Sequence, residues 1–145
     1  MTIKIVVGLD GEGSGDRALA YGIRMANLIG DCEILVVYVI EWSPYSFHTP
    51  EENEQRHKRR EEEITMANDR VVHPALTTLK EAGVKASGKV RHGDVADTIN
   101  RVAGSENAEQ IIVSRSSEGG FTTRIFGSST ANLVMSAKVP VTVVG

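Results

Sequence analysis

The sequence contains one cysteine, no excess of basic residues and no long apolar run. The single cysteine, Cys32, excludes an internal disulfide and suits a small buried residue in a reducing compartment. The 16 Lys and Arg against 19 Asp and Glu give a formal charge of −3, which leaves no basic surface for nucleic acid. No stretch reaches the roughly eighteen apolar residues of a membrane span. We therefore expect neither nucleic acid nor membrane as a partner.

The stretch "MTIKIVVGLDG" enters an apolar segment directly, without the basic lead or the small-residue cleavage site of a secretion signal. We therefore expect a cytoplasmic protein. The length of 145 residues fits a single domain, residues 1–145.

Short apolar runs rich in β-branched residues predict the strands of a sheet. Four of them are nearly continuous, as in parallel strands covered on both faces: residues 3–9, 33–40, 109–114 and 139–144. A fifth run, residues 84–91, alternates between apolar and polar positions, which indicates an edge strand with one face in water.

Helical periodicity fills the intervals between these strands. One helix is predicted between Ser14 and Gly30, and a long one between Pro50 and Ala82 that Pro74 should kink or split. A third is predicted to begin at an Asp94 cap, and a fourth at Ser128 or Ser129. The strict alternation of strand and helix predicts an α/β fold, with a doubly wound five-stranded parallel sheet and helices on both faces. Ligands bind such sheets beyond the carboxyl ends of the strands.

The first glycine-rich stretch, "DGEGSG" at residues 10–15, follows a strand and opens a helix. It is not a dinucleotide fingerprint, because Asp16 stands where the third glycine belongs. Residues 11–15 are therefore predicted to form a turn. Asp10 is a candidate ligand, since a carboxylate at the end of an interior strand accepts a hydrogen bond from a ribose hydroxyl or holds a magnesium ion. The alternative role for Asp10 is a helix cap.

The second stretch, "SRSSEGGFTTRIFGSST" at residues 114–130, resembles the signature loop of the universal stress protein family. That signature is G-x-x-G, nine residues, then glycine followed by Ser or Thr. Gly127 and Ser128 match it, and Ser128 and Ser129 open a helix whose N–H groups attract anions. The stretches "IVVGLDGEGSGDRAL", "HGDVADTINRVA" and "VPVTVV" are also similar to the family, so the resemblance spans the chain.

Ser114 and Ser117 stand where the family has its two leading glycines. If those positions need a positive φ, each serine costs on the order of 1 kcal/mol. Two such costs would weaken nucleotide binding roughly tenfold to a hundredfold. Arg115 and Arg124 lie in the same stretch and would offset phosphate charge if they point inward.

The resemblance implies a Rossmann-like sheet of the adenine nucleotide alpha hydrolase type, with strand order 3-2-1-4-5. It implies that ATP, with or without Mg²⁺ near Asp10, is the ligand. The adenine and ribose are then held by Gly8, Asp10 and Val39, and the phosphates by Ser114, Ser117, Gly127, Ser128 and Ser129. The segment 41–48 either folds over the base through Trp42, Tyr45 or Phe47 or serves only as a linker.

The last strand is predicted to lie at a sheet edge without a charged residue to discourage pairing. The resemblance implies a homodimer through Val139 to Val144. The four histidines show no metal-ligand spacing and no neighbouring nucleophile, so we assign no catalytic site and expect no enzyme. Asp10 is the only nearby base for a slow ATPase.

The sequence therefore supports two functions. The first is a universal stress protein that binds ATP as a stress-response signalling module. The alternative is a homodimer of the same fold that binds no nucleotide and recognises an unknown protein partner.

Overall fold

The computed structural model describes residues 2–11, 15–41, 50–115 and 128–145. Strands and helices alternate along the described chain, and their bounds are β1 Ile3–Leu9, α1 Gly15–Ile29, β2 Cys32–Glu41, α2 Pro50–Ala67, a π-helix Asn68–Val72, α3 His73–Glu81, β3 Lys85–Gly93, α4 Val95–Ser105, β4 Gln110–Ser114, α5 Ser128–Ser136 and β5 Val141–Val144.

All described strands lie in one parallel sheet of order β3-β2-β1-β4-β5, which confirms the predicted fold and strand order. β1 lies at the centre, where Ile5 pairs with Ile34 of β2 and with Gln110 of β4. β3 and β5 form the two edges. The alternating strand β3 keeps an exposed face, as predicted.

Two apolar cores cover the two faces of the sheet. In one, Ile5, Val7 and Ile112 pack with α1, the π-helix and α3. In the other, Ile111 and Val113 pack with residues of α4 and α5. Successive residues of a strand point to opposite faces, so each interior strand contributes to both cores. Cys32 is buried in the first core, which agrees with its predicted structural role.

The helix ends follow the predicted signals. Gly30, with φ +90°, follows α1. The Asp97 N–H donates to Asp94 Oδ2 at 2.9 Å, which confirms Asp94 as the cap of α4. None of the helices in the described ranges is both long and apolar enough to span a membrane.

The predicted long helix is split before Pro74, as the sequence suggested. A proline has no N–H for the helix ladder, and its ring clashes with the carbonyl four residues earlier. The chain widens into the π-helix just ahead of Pro74, where the His73 N–H bonds to the Asn68 carbonyl. Val72 of this turn lies so close to β3 that a Cβ added at Gly88 would overlap its Cγ1. The absence of a side chain at Gly88 therefore lets the π-helix pack against β3.

Two ion pairs connect β1 and β3 to the residue that follows α4. The Glu106 carboxylate, just beyond α4, accepts from Lys4 Nζ at 2.9 Å and from Lys89 Nζ at 2.8 Å. The hydrogen bonds from Lys89 and Lys4 lower the pKa of Glu106 to about 2, and their charges add to the shift. Glu106 thereby connects β1, β3 and the end of α4.

Candidate functional site

The candidate site is the carboxyl edge of the sheet where β1, β2 and β4 end beside one another. Gly8 of β1 pairs with Val37 of β2, so Val39 lies two residues further towards the carboxyl end of its strand. Val39 and Val113 both belong to the core beneath α4 and α5. The sequence-predicted residues Gly8 and Val39 therefore lie on one face of the sheet.

Gly8 is buried and closely packed. A Cβ at this position would lie 3.0 Å from Val113 Cγ1 and 3.1 Å from Ile99 Cδ1. Real side chains rarely come this close, so a larger residue here would force the side chain of Val113 or Ile99 to move. The floor of the site is thus sealed by apolar side chains, and a ligand would lie further out, towards Asp10.

Asp10 follows the last residue of β1 and is exposed to solvent. The next residue, Gly11, has φ +78°, and its Cα faces the ring of Tyr38 on β2. This left-handed conformation favours glycine and turns the chain away from the strand. Asp10 is therefore presented at the rim of the edge, where the sequence analysis expected a ligand-binding carboxylate.

The amino terminus of α5 begins at Ser128, as predicted, and α5 packs through Leu133 on the same face as Gly8 and Val39. The N–H groups of a helix's first turn lack partners within the helix and attract anions. Ser129 is half-buried in this first turn.

Several residues named in the sequence analysis lie outside the described residues, namely Ser14, Trp42, Tyr45, Phe47, Ser117, Arg124 and Gly127.

Ser114 points to the opposite face of the sheet. Its side chain is buried, and its Oγ accepts a hydrogen bond from the Ala18 N–H of α1 at 3.1 Å. Ser114 is the last residue of β4, and α1 covers the face opposite α5. The structure therefore does not bring the Ser114 side chain together with Gly8, Val39 and α5.

Arg115 is held through its backbone. Its N–H donates to the Val144 carbonyl at 2.7 Å, and its carbonyl accepts from Arg17 Nη2 at 3.0 Å. Its guanidinium lies near Gly145, since a Cβ added there would lie 3.8 Å from Arg115 Nη2. Sequence reasoning missed Arg17, because no motif marks a contact between residues 98 positions apart.

Within the described ranges, no group of three or more His, Cys, Asp or Glu residues is arranged to hold a metal ion. A magnesium ion near Asp10 would therefore need further oxygen ligands from elsewhere, and a nucleotide's phosphates supply such oxygens.

Comparison with known families gives one match over the full length. The model of the universal stress protein family matches residues 1–145. A comparison with curated proteins gave no match.

Comparison with solved structures supports the fold. Universal stress protein UspA from Lactobacillus plantarum is 18% identical, with a TM-score of 0.81 over 99% of this chain and 97% of that one. The universal stress protein from Archaeoglobus fulgidus in complex with dAMP is 20% identical, with a TM-score of 0.61 over 99% and 98% of the two chains. A universal stress protein in complex with cAMP is 22% identical, with a TM-score of 0.62 over 99% and 96%.

Proposed function

The chain belongs to the universal stress protein family, and on that premise we propose that it binds ATP as a stress-response signalling module. The observation that carries the proposal is the position of Gly8, Val39 and the first turn of α5 on one face of the carboxyl edge. Two relatives of the same fold are described in complex with dAMP and with cAMP, which supports an adenine nucleotide as the ligand class.

In this proposal each part of the nucleotide meets a different element. The adenine and ribose lie near Gly8, Asp10 and Val39, with the Asp10 carboxylate accepting from a ribose hydroxyl. The phosphates are held by Gly127, Ser128 and Ser129 at the amino terminus of α5, whose N–H groups favour negative charge. Binding then favours the conformation with the nucleotide bound, and the signal is this shift of population rather than turnover.

The test is a search for bound nucleotide followed by a titration. Protein purified without added nucleotide is denatured, and the released material is analysed for adenine nucleotides. The same preparation is titrated with ATP and Mg²⁺ by calorimetry, with and without EDTA. We expect saturable heat with ATP and less with GTP, because Gly8 and Val39 are proposed to lie beside the adenine, whereas the ribose contact of Asp10 is common to both nucleotides. Absence of both released nucleotide and heat at millimolar ATP would contradict the proposal.

The second candidate function, a homodimer acting through protein contacts, is favoured by the β5 edge. β5 is only half-buried, and Val134 and Met135 on the neighbouring α5 are 46% and 86% exposed. We propose that Val139 to Val144 pairs with the same strand of a second copy, since an uncharged edge strand is a template for pairing.

The hydrogen bonds of β5 allow a precise test of this pairing. The carbonyls of Pro140 and Val144 accept from Ile111 and Arg115, so the backbone groups of even-numbered residues face β4. Those of Val141 and Val143 therefore point to the open edge. Val143→Pro removes an outward N–H but leaves the ladder with β4, and Val143→Ala is the control that keeps the N–H. We expect light scattering to give a monomer for Val143→Pro alone, and a dimer for that variant would exclude this edge as the interface.

A further inference from the structure

The chain leaving β4 is fastened to α1 at two consecutive positions. Ser114 Oγ accepts from the Ala18 N–H at 3.1 Å, and the carbonyl of Arg115 accepts from Arg17 Nη2 at 3.0 Å. Arg17 and Ala18 are neighbours in the first turn of α1. These two bonds, which we call the α1 brace, join segments almost a hundred residues apart in the sequence.

The hydrogen bond to Ala18 joins the start of a helix to the end of a strand. Ala18 lies in the first turn of α1, and Ser114 is the last residue of β4. The bond is buried, so water does not substitute readily for the serine hydroxyl. A glycine or an alanine at position 114 would leave this N–H without the hydroxyl.

The α1 brace also connects two parts of the carboxyl edge. α1 begins a few residues after Asp10, and Arg115 is the last described residue before the segment 116–127. The Arg115 peptide is held on both sides, because its N–H bonds to the Val144 carbonyl of β5 while its carbonyl bonds to Arg17. The direction in which the chain leaves β4 is therefore fixed relative to both α1 and β5.

We infer that Ser114 and Arg17 are positioning residues for the nucleotide site, an inference that rests on the proposed function. They hold the end of β4 at a fixed place beside the first turn of α1 without touching the nucleotide. The side chain of Ser114 lies on the α1 face, away from α5, so its Cβ does not crowd phosphates at that helix. Glycine at position 114 is therefore expected to weaken binding, although the family signature has glycine there.

The experiment combines calorimetry with amide hydrogen exchange at Ala18. We expect Ser114→Ala and Ser114→Gly to raise the Kd for ATP about tenfold, because without the bond the end of β4 would keep the binding-competent arrangement only about a tenth of the time. Ser114→Thr, which keeps the hydroxyl, should retain affinity within about threefold. Exchange of the Ala18 amide should speed up in Ser114→Ala and Ser114→Gly and not in Ser114→Thr.

Arg17→Met should weaken ATP binding, whereas Arg24→Met, which changes an exposed arginine of the same helix, should not.

A general loss of stability is controlled with Glu106→Ala, which removes the ion pairs at the opposite end of the sheet. The positioning role is overturned if Ser114→Ala binds ATP like the wild type. It is also overturned if Glu106→Ala lowers Tm as much as Ser114→Ala does and weakens ATP binding too, because the loss of binding would then follow from lower stability. Unchanged exchange at Ala18 would overturn the brace itself. A wild-type protein that binds no nucleotide would overturn the proposed function. Exchange of the Ala18 amide is measured without nucleotide, so it tests the α1 brace independently of that result.

Discussion

The two ends of the sheet are held by different kinds of contact. At the amino end, Lys4 and Lys89 pair with Glu106, and their side chains remain 25–35% exposed. At the carboxyl end, two of the described contacts are buried and uncharged, because α4 packs over Gly8 and Ser114 bonds to the Ala18 N–H. Polar contacts of Arg17 with the Arg115 carbonyl and of His92 with Glu63 lie nearer to solvent. Partly exposed ion pairs contribute little and respond to salt and pH, whereas a buried unpaired N–H or an overfilled core is costly. The carboxyl end should therefore be the more sensitive to substitution.

The largest effect is expected from Gly8→Val at the carboxyl end. The new side chain would overlap Val113 and Ile99, and overfilling a packed core costs about 1–3 kcal/mol of unfolding free energy. Binding of ATP should be lost as well, because α4 or β1 must shift at the floor of the site. Chemical denaturation and calorimetry measure the two effects. Gly104→Val is the control, since a Cβ there meets nothing within 4 Å. Equal stability of the two variants would contradict this packing argument.

A smaller, more specific effect is expected from Asp10→Asn. Loss of one charged acceptor for a ribose hydroxyl should raise the Kd for ATP about tenfold. The substitution preserves size, so Tm should change little. Asp31→Asn is the control at the amino end, where Asp31 accepts from Thr2 Oγ1 at 3.0 Å. If both variants bind ATP equally well, Asp10 has no part in recognition.

The smallest effect is expected from Glu106→Gln, which should lower Tm slightly at neutral pH without changing ATP affinity. The pKa of Glu106 is lowered from 4.5 to about 2 in the folded protein. Its stabilising contribution is therefore complete above the unfolded value of about 4.5 and is lost as the pH falls towards 2. The Tm difference between wild type and Glu106→Gln should shrink over this interval. A difference that persists at pH 2 would mean that the ion pairs are not its source.

The sequence predicts well what depends on local pattern. The order of strands and helices, the Asp94 cap and the stop at Gly30 each follow from residues close together in the chain, and the structure confirms them. The break before Pro74 was expected for the same reason, although its form as a π-helix was not, because proline permits several kinds of helix distortion.

The sequence predicts less of the site, because the site depends on which distant residues meet. The family signature draws attention to Ser114 as a missing glycine. The direction of its side chain depends on the face to which position 114 belongs, and its partner, Ala18, is 96 residues away. Arg17 has no signal of its own, since an arginine in the first turn of a helix is usually solvated. Contacts of this kind become visible only in three dimensions.

The close approach of the π-helix to β3 has a consequence for how the chain can vary. Gly88 and Val72 occupy one small space, so position 88 can gain a side chain only if the side chain at position 72 gives way. In a mutant library selected for folded protein, alanine at position 88 should be found chiefly in clones that also carry a residue smaller than valine at position 72. Such paired changes would show that the side-chain sizes at positions 72 and 88 depend on one another.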